Sequence, residues 1–149
     1  MGCDRVGDVR KKRIGKITKA GDVNPWPHEE ATAKVLALYG HDIEFIRKSN
    51  RDREHSADAY VDGVKWEFKA PTANHTRTIL ENLKDAKWQS DRVIVDARRT
   101  KKVPDNAILR ELKASSREVP EIKHIKYVSK SGKLPYNFHN LCNISAGVL

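Results

Sequence analysis

ADAYVDGVKWEFKAP, residues 57–71, decides the fold. Two short alternating runs flank Asp62-Gly63, the dipeptide that most strongly marks a tight hairpin turn. On the second run Val64, Trp66 and Phe68 share one face and Lys65, Glu67 and Lys69 the other, because strand side chains alternate with a period of two. Trp66 and Phe68 are expected to face the core. Pro71 stops the strand, since proline cannot donate to a ladder. Folding the first run back over the second brings Asp58 toward Glu67, a geometrically cheap cross-strand approach.

The flanking sequence builds a domain around this hairpin. Upstream, Pro25-Trp26-Pro27 punctuates the chain before HEEATAKVLALYG, rich in helix formers and ended by Gly40. Ala33, Leu36 and Ala37 define its apolar stripe, with Leu38 and Tyr39 broadening it. Ile43 to Ile46 alternates briefly and reads as a strand. RKSNRDREHS, residues 47–56, is too polar for a core element and is expected as a loop.

Downstream, Ile79, Leu80, Leu83 and Ala86 recur at helical spacing within a helix expected from Thr76 to about Ser90. Val93-Ile94-Val95 is a fully apolar strand, as at a sheet centre covered on both sides. A third helix over Asn106–Ala114 and a strand over Ile122–Val128 follow. After Gly132 the pattern gives no clear element. The order implies an α/β fold with a mixed sheet and helices on its faces. At 149 residues the chain fits one domain. It divides into a basic lead (1–22), a core (28–96) and a C-terminal extension (104–149).

Composition sets the class of partner. The 29 Lys and Arg outnumber 20 Asp and Glu, giving a net charge of +9 and long-range attraction for polyanions. Nucleic acid is the first candidate and an acidic protein the second. Lys65, Lys84, Lys87, Arg92, Arg98, Arg99, Lys101, Lys102 and the run Arg10–Arg13 are candidate phosphate contacts. Cys3 and Cys142, near opposite ends, make no disulfide framework. No apolar run approaches the roughly 20 residues that cross a bilayer. MGCDRVGDVRKKR lacks the apolar stretch of a signal peptide, although a domain delivered by a larger carrier would lack one too.

The chemistry gathers at Asp58, Glu67 and Lys69. Two close carboxylates, with the Phe68 carbonyl, suit a hard divalent cation such as Mg²⁺ or Mn²⁺. Such an ion polarises a phosphodiester and activates water. Lys69 would hold or help deprotonate that water and offset charge on phosphorus. Glu29 or Glu30, on the first helix, would complete the shell; both carboxylates also suit a helix N-terminus electrostatically. Gln89 is a candidate to hydrogen-bond the lysine or a phosphate. Trp66 and Trp88 read first as core or half-buried aromatics, and as base-stacking groups second. His28, His41, His55, His75, His124 and His139 lack zinc-ligand spacing. His55 and His75 are nearest the hairpin and offer a metal-free acid–base route.

These residues resemble the PD-(D/E)xK nuclease superfamily, the restriction endonuclease-like fold. That family carries an acidic residue on one core strand and E-x-K on the next, matched by Asp58, Glu67 and Lys69. The resemblance implies a three-layer sandwich with an αβββαβ core over residues 28–96. HEEATAKVLALYG, DAYVDGVKWEFK and AKWQSDRVIVD are more closely similar to the C-terminal toxin nucleases of contact-dependent inhibition, the CdiA type. This likeness implies a metal-dependent RNase acting on tRNA in the cytoplasm, and an acidic immunity protein as partner. The alternatives are a DNase of the same fold, resolvase or restriction-like, and a non-catalytic nucleic-acid-binding module.

Overall fold

The computed structural model of the protein describes residues 13–48 and 56–134, and the backbone of 136–139. The Asp62-Gly63 turn joins strand β3 (Ala59–Val61) to β4 (Val64–Lys69). Both turn residues have positive φ, 51° and 83°, the conformation that a two-residue hairpin of this type demands. β3 and β4 pair antiparallel, Ala59 opposite Trp66 and Val61 opposite Val64.

Around the hairpin lies a mixed sheet in which strands neighbour one another in chain order. β2 (Ile43–Phe45) runs antiparallel to β3. On its other side β1 (Ile17–Thr18) runs parallel to it. Beyond β4 come β5 (Arg92–Asp96) and β6 (His124–Val128), both parallel, then β7 (Tyr136–His139), antiparallel. The helices are α1 (Pro27–Leu38), α2 (Arg77–Ala86) and α3 (Asp105–Glu118). The α2 and α3 crossovers join the parallel strands, as parallel pairing requires.

Two apolar clusters build the core. Ala33, Leu36 and Ala37 of α1 pack with Ile43, Phe45, Ala59, Val61, Trp66, Phe68 and Ile94. Ile79, Leu83 and Ala86 of α2 pack with Ile108 and Leu112 of α3 and with Val93, Val95, Ile125 and Tyr127. Ile94 joins the first cluster while Val93 and Val95 join the second. β5 is therefore covered on both faces, the condition that an all-apolar strand reflects. Trp66 and Phe68 are buried beneath α1, and the Phe68 ring meets Phe45 edge to face at 6.3 Å between centroids. Truncating Trp66 or Phe68 to alanine is expected to cost about 3–5 kcal/mol, the range for deleting a buried aromatic. Urea denaturation of each variant measures it; a loss below about 1 kcal/mol would contradict the register of the hairpin.

Several expectations need correction. Leu38 and Tyr39 do not widen the apolar stripe of α1: they are 64% and 42% exposed, and Val35 is buried instead. They fall in the last turn, where the helix rotates its side chains away from the sheet before Gly40 ends it at φ 93°. Val64, next to the turn of the hairpin, is exposed although it shares a face with Trp66. α2 ends at Ala86 rather than near Ser90, and α3 continues to Glu118.

The basic lead is also more structured than its composition suggests. Lys16 C=O accepts from Ile43 N–H at 2.7 Å, and Gly15 N–H donates to Ala37 C=O at 2.8 Å. A Cβ on Gly15 would fall 1.7 Å from the His41 carbonyl oxygen, so only glycine lets the chain pass there. Arg13 is held by Asp42 at 2.9 Å rather than presented as a free phosphate contact. Arg10, Lys11 and Lys12 lie outside the described residues, as do Cys3, Cys142 and His55.

Candidate active site

Asp58 stands where the β3–β4 ladder ends. Its N–H donates to Trp66 C=O at 3.2 Å and its C=O accepts from Ile46 N–H at 3.0 Å, so both neighbouring strands fix its backbone. The next ladder position is taken by the Asp58 side chain: Oδ2 accepts from Phe68 N–H at 2.8 Å. A strand residue's N–H and C=O leave on the same side, so the Phe68 carbonyl is also directed toward Asp58. Continuing the register by one step sets Asp58 opposite Glu67, and both carboxyl groups are buried, at 4% and 6% exposure.

Glu67 is held against its ionised form by its surroundings. Burial first, then the Asp58 charge, push its pKa from 4.5 up to about 8, while Lys69 pulls it down. Lys69 Nζ lies 3.2 Å from Glu67 Oε2. Glu67 Oε1 is buried and finds no hydrogen-bond partner among the described residues. A buried acceptor left without a partner costs on the order of 1–3 kcal/mol, and a hydrogen bond between the Asp58 and Glu67 carboxyls adds to the forces that favour the neutral form of Glu67.

Glu29 reaches the same place from α1. Its Oε2 accepts from Trp26 N–H at 3.1 Å, closing the helix start, and its Oε1 meets Lys48 Nζ at 3.2 Å. Lys48 Nζ also lies 2.8 Å from Asp58 Oδ1, so one ammonium bridges the two buried carboxylates. Burial and the Asp58 charge raise the Glu29 pKa. Burial acts to lower that of Lys48, but its contacts with Asp58 and Glu29 outweigh this and hold it above the ordinary value. Glu30, by contrast, is paired with Lys19 at 3.3 Å, away from this cluster.

The remaining candidates sort by position. Gln89 sits in the turn between α2 and β5, where Ser90 Oγ donates to Lys65 C=O; with its amide nitrogen turned to α2 it donates to the Asp85 and Ala86 carbonyls. Lys69 pairs with Val95 and lies four strand residues, roughly 13 Å, along β4 from Lys65, so Gln89 caps the helix and is not brought to the lysine. Arg98 is locked bidentately on buried Asp96, at 3.0 and 2.6 Å, and is not a free phosphate contact. Asp96 also accepts from Thr32 Oγ1 at 2.6 Å, tying α1 to β5. His28, one turn before Thr32, has its pKa lowered by burial and Arg99. His75 is exposed. Trp66 is buried between Lys126, at 5.1 Å, and Arg92, at 5.8 Å, whereas Trp88 is exposed under Lys87.

These donors fit one kind of ion. Among the described residues no three His, Cys, Asp or Glu side chains form a ready cage. Mg²⁺ does not ask for one: it is held by one or two carboxylates, retained waters and substrate phosphate. Asp58 and Glu67, with the Phe68 carbonyl, are the groups that would hold such an ion, which would take the place of Lys48 on Asp58 Oδ1 and meet the unpartnered Glu67 Oε1.

The Glu67 shift also predicts a stability profile. Its folded-state pKa lies above its unfolded one, so its contribution is full below about pH 4.5 and is lost as pH rises through about 8. Without divalent ions, Glu67→Gln should therefore be more stable than the parent near pH 9, by a few kcal/mol, with the gap closing on acidification. Thermal unfolding in EDTA from about pH 5 to 9 measures this. Parallel profiles for the two proteins would contradict the assignment.

A mixed α/β domain with two buried carboxylates and a lysine at the open end of a hairpin defines a class, and sequence comparison names the family. Residues 55–134 match the contact-dependent growth inhibition CdiA C-terminal domain, and the chain belongs to that family. The matched segment contains Asp58, Glu67 and Lys69; Glu29 and Lys48 precede it. Among solved structures the protein is similar to a chain of the CdiA-CT/CdiI toxin and immunity complex from Burkholderia pseudomallei. The TM-score is 0.58 at 16% identity, over 82% of this chain and 98% of that one, which is a likeness of fold. No curated protein matches the chain.

Proposed function

We propose that the protein is a toxin nuclease that hydrolyses phosphodiester bonds in RNA, tRNA foremost, with a divalent cation, Mg²⁺ or Mn²⁺, at Asp58 and Glu67. The observation that carries this reading is the buried Asp58–Glu67 pair, with its orphan oxygen, beside Lys69. Bound there, the cation would polarise the phosphodiester and strengthen water as a nucleophile. The chain's own groups do the rest. Asp58 is fixed through its backbone and through Phe68 N–H, so its carboxylate is preorganised. Lys69, anchored on Glu67, offsets negative charge on the phosphoryl oxygens and positions the attacking water. Glu29 holds the third carboxylate position through Lys48.

The arrangement of α1, β2–β4, α2 and β5 supports reading the core as the restriction endonuclease-like αβββαβ unit in three layers. Family membership favours RNA and a toxin role in a recipient's cytoplasm, delivered by a larger carrier. The net charge of +9 suits both a polyanionic substrate and an acidic protein partner, and an immunity protein is the partner of the toxin in the Burkholderia complex. A DNase of the same fold would use the same catalytic groups. The protein is therefore to be incubated with tRNA, duplex DNA and branched DNA in Mg²⁺. Cleavage of tRNA alone is expected; cleavage of DNA alone would reverse the substrate assignment, and salt-sensitive binding without cleavage of any substrate would leave a binding module.

A further inference from the structure

We infer that the cleft between Trp26 and Asp58 is a nucleobase subsite, in which an unpaired base next to the scissile phosphate stacks on the Trp26 indole; this rests on the nuclease reading above. Trp26 is 65% exposed, a large apolar group left in water. It is nonetheless held in place. Pro25 and Pro27 flank it, its backbone is extended at φ −65° and ψ 151°, and its N–H is bound to buried Glu29. Residues before proline favour this extended conformation, so little backbone entropy remains to be lost on binding.

The surroundings match a nucleoside. Trp26 lines a cleft of about 390 Å³ whose walls also include Glu29 and Asp58, so the cleft reaches these two carboxylates of the site. That volume lies in the range of small-molecule sites. Arg47 and Lys48 stand on the same cleft, Arg47 paired with Asp22 at 2.7 Å and Lys48 with Glu29 and Asp58, so a backbone phosphate there would exchange for one of these carboxylates. Asn24, Pro25, Pro27 and Glu30 line a second hollow on Trp26, so the residue stands as a ridge between two depressions. An exposed aromatic ring on a fixed stretch of backbone is a platform on which unpaired bases stack, whatever their sequence. A base inside a duplex is already stacked and does not reach such a platform. The subsite therefore selects unpaired nucleotides, such as those of loops, as RNA recognition generally does.

The test uses short single-stranded oligoribonucleotides with the fluorescent base 2-aminopurine at successive positions, titrated with the full chain in EDTA. At one position the parent should quench the fluorescence on binding. Trp26→Ala should lose the quench and bind roughly 5- to 100-fold more weakly, the range for losing one stacked base. Trp26→Phe should retain most of both, and circular dichroism should show all three proteins equally folded. The same sequence annealed to its complement should give no quench. If Trp26→Ala binds and quenches like the parent while the parent cleaves tRNA, the subsite is wrong, the nuclease reading stands, and the exposed indole falls to a protein partner. Equal quenching by the duplex would overturn the selection of unpaired bases. If the parent neither binds the oligonucleotides nor cleaves any nucleic acid, both readings fall together.

Discussion

Replacing Glu67 by glutamine, or Asp58 by asparagine, is expected to reduce single-turnover cleavage of tRNA by about 10³-fold or more. A bound cation is worth several kcal/mol of transition-state stabilisation, and each 1.36 kcal/mol is tenfold in rate. The substitutions are nearly isosteric, so packing against the neighbouring strands is kept. They remove the anionic oxygens that would hold the ion. The two should behave alike in catalysis and differently in stability. Glu67→Gln relieves a buried carboxyl whose pKa already stands near 8. Asp58→Asn disturbs an acceptor that Phe68 N–H and Lys48 both use. Folded variants with near-parental rates would place the chemistry elsewhere.

Lys69→Met should lower the single-turnover rate by roughly 10²-fold or more while weakening substrate affinity less than tenfold. The methionine keeps much of the stem and deletes the ammonium. In the folded protein that ammonium sits 3.2 Å from Glu67 Oε2 on a largely covered side chain. It is therefore positioned to act as charge grows on the phosphoryl oxygens, where a preorganised charge is worth most. Lys65 shares the strand face but is exposed at the other end of β4. Lys65→Met is expected to change the rate little. Single-turnover rates at saturating protein, beside equilibrium binding in Ca²⁺, separate the two lysines. Equal small effects on rate would make Lys69 one more phosphate-steering cation.

The parts of this arrangement legible in the sequence are those that short-range rules control. Asp62-Gly63 specified a turn that only positive-φ residues make, and period-two alternation then placed Trp66 and Phe68 opposite Glu67. Val93 to Val95 announced a strand covered on both faces. What was not legible depends on distant partners. β1 is two residues long and has no pattern of its own; it exists because Ile43 and Glu44 pair with it. Lys48, in a run of polar residues, bridges Glu29 and Asp58, which lie 19 and 10 residues away in sequence. Nothing local marks it. The choice between Glu29 and Glu30 turned on which carboxylate α1 buries, and adjacent helix positions left that open. Gln89 looked suited to meet the lysine because it precedes an apolar strand, but the parallel register of β4 and β5 puts it at the far end. Trp26 was legible only as punctuation between two prolines, since its place beside Asp58 needs the fold.

The most direct test of the Asp58–Glu67 centre is single-turnover tRNA cleavage by protein stripped of metal with EDTA and then titrated with Mg²⁺ or Mn²⁺. No cleavage is expected in EDTA, with recovery that saturates with added ion and no comparable recovery in Glu67→Gln at the same ion concentrations. Full cleavage by the stripped parent in EDTA would contradict the metal assignment and would turn the chemistry over to histidine acid–base catalysis.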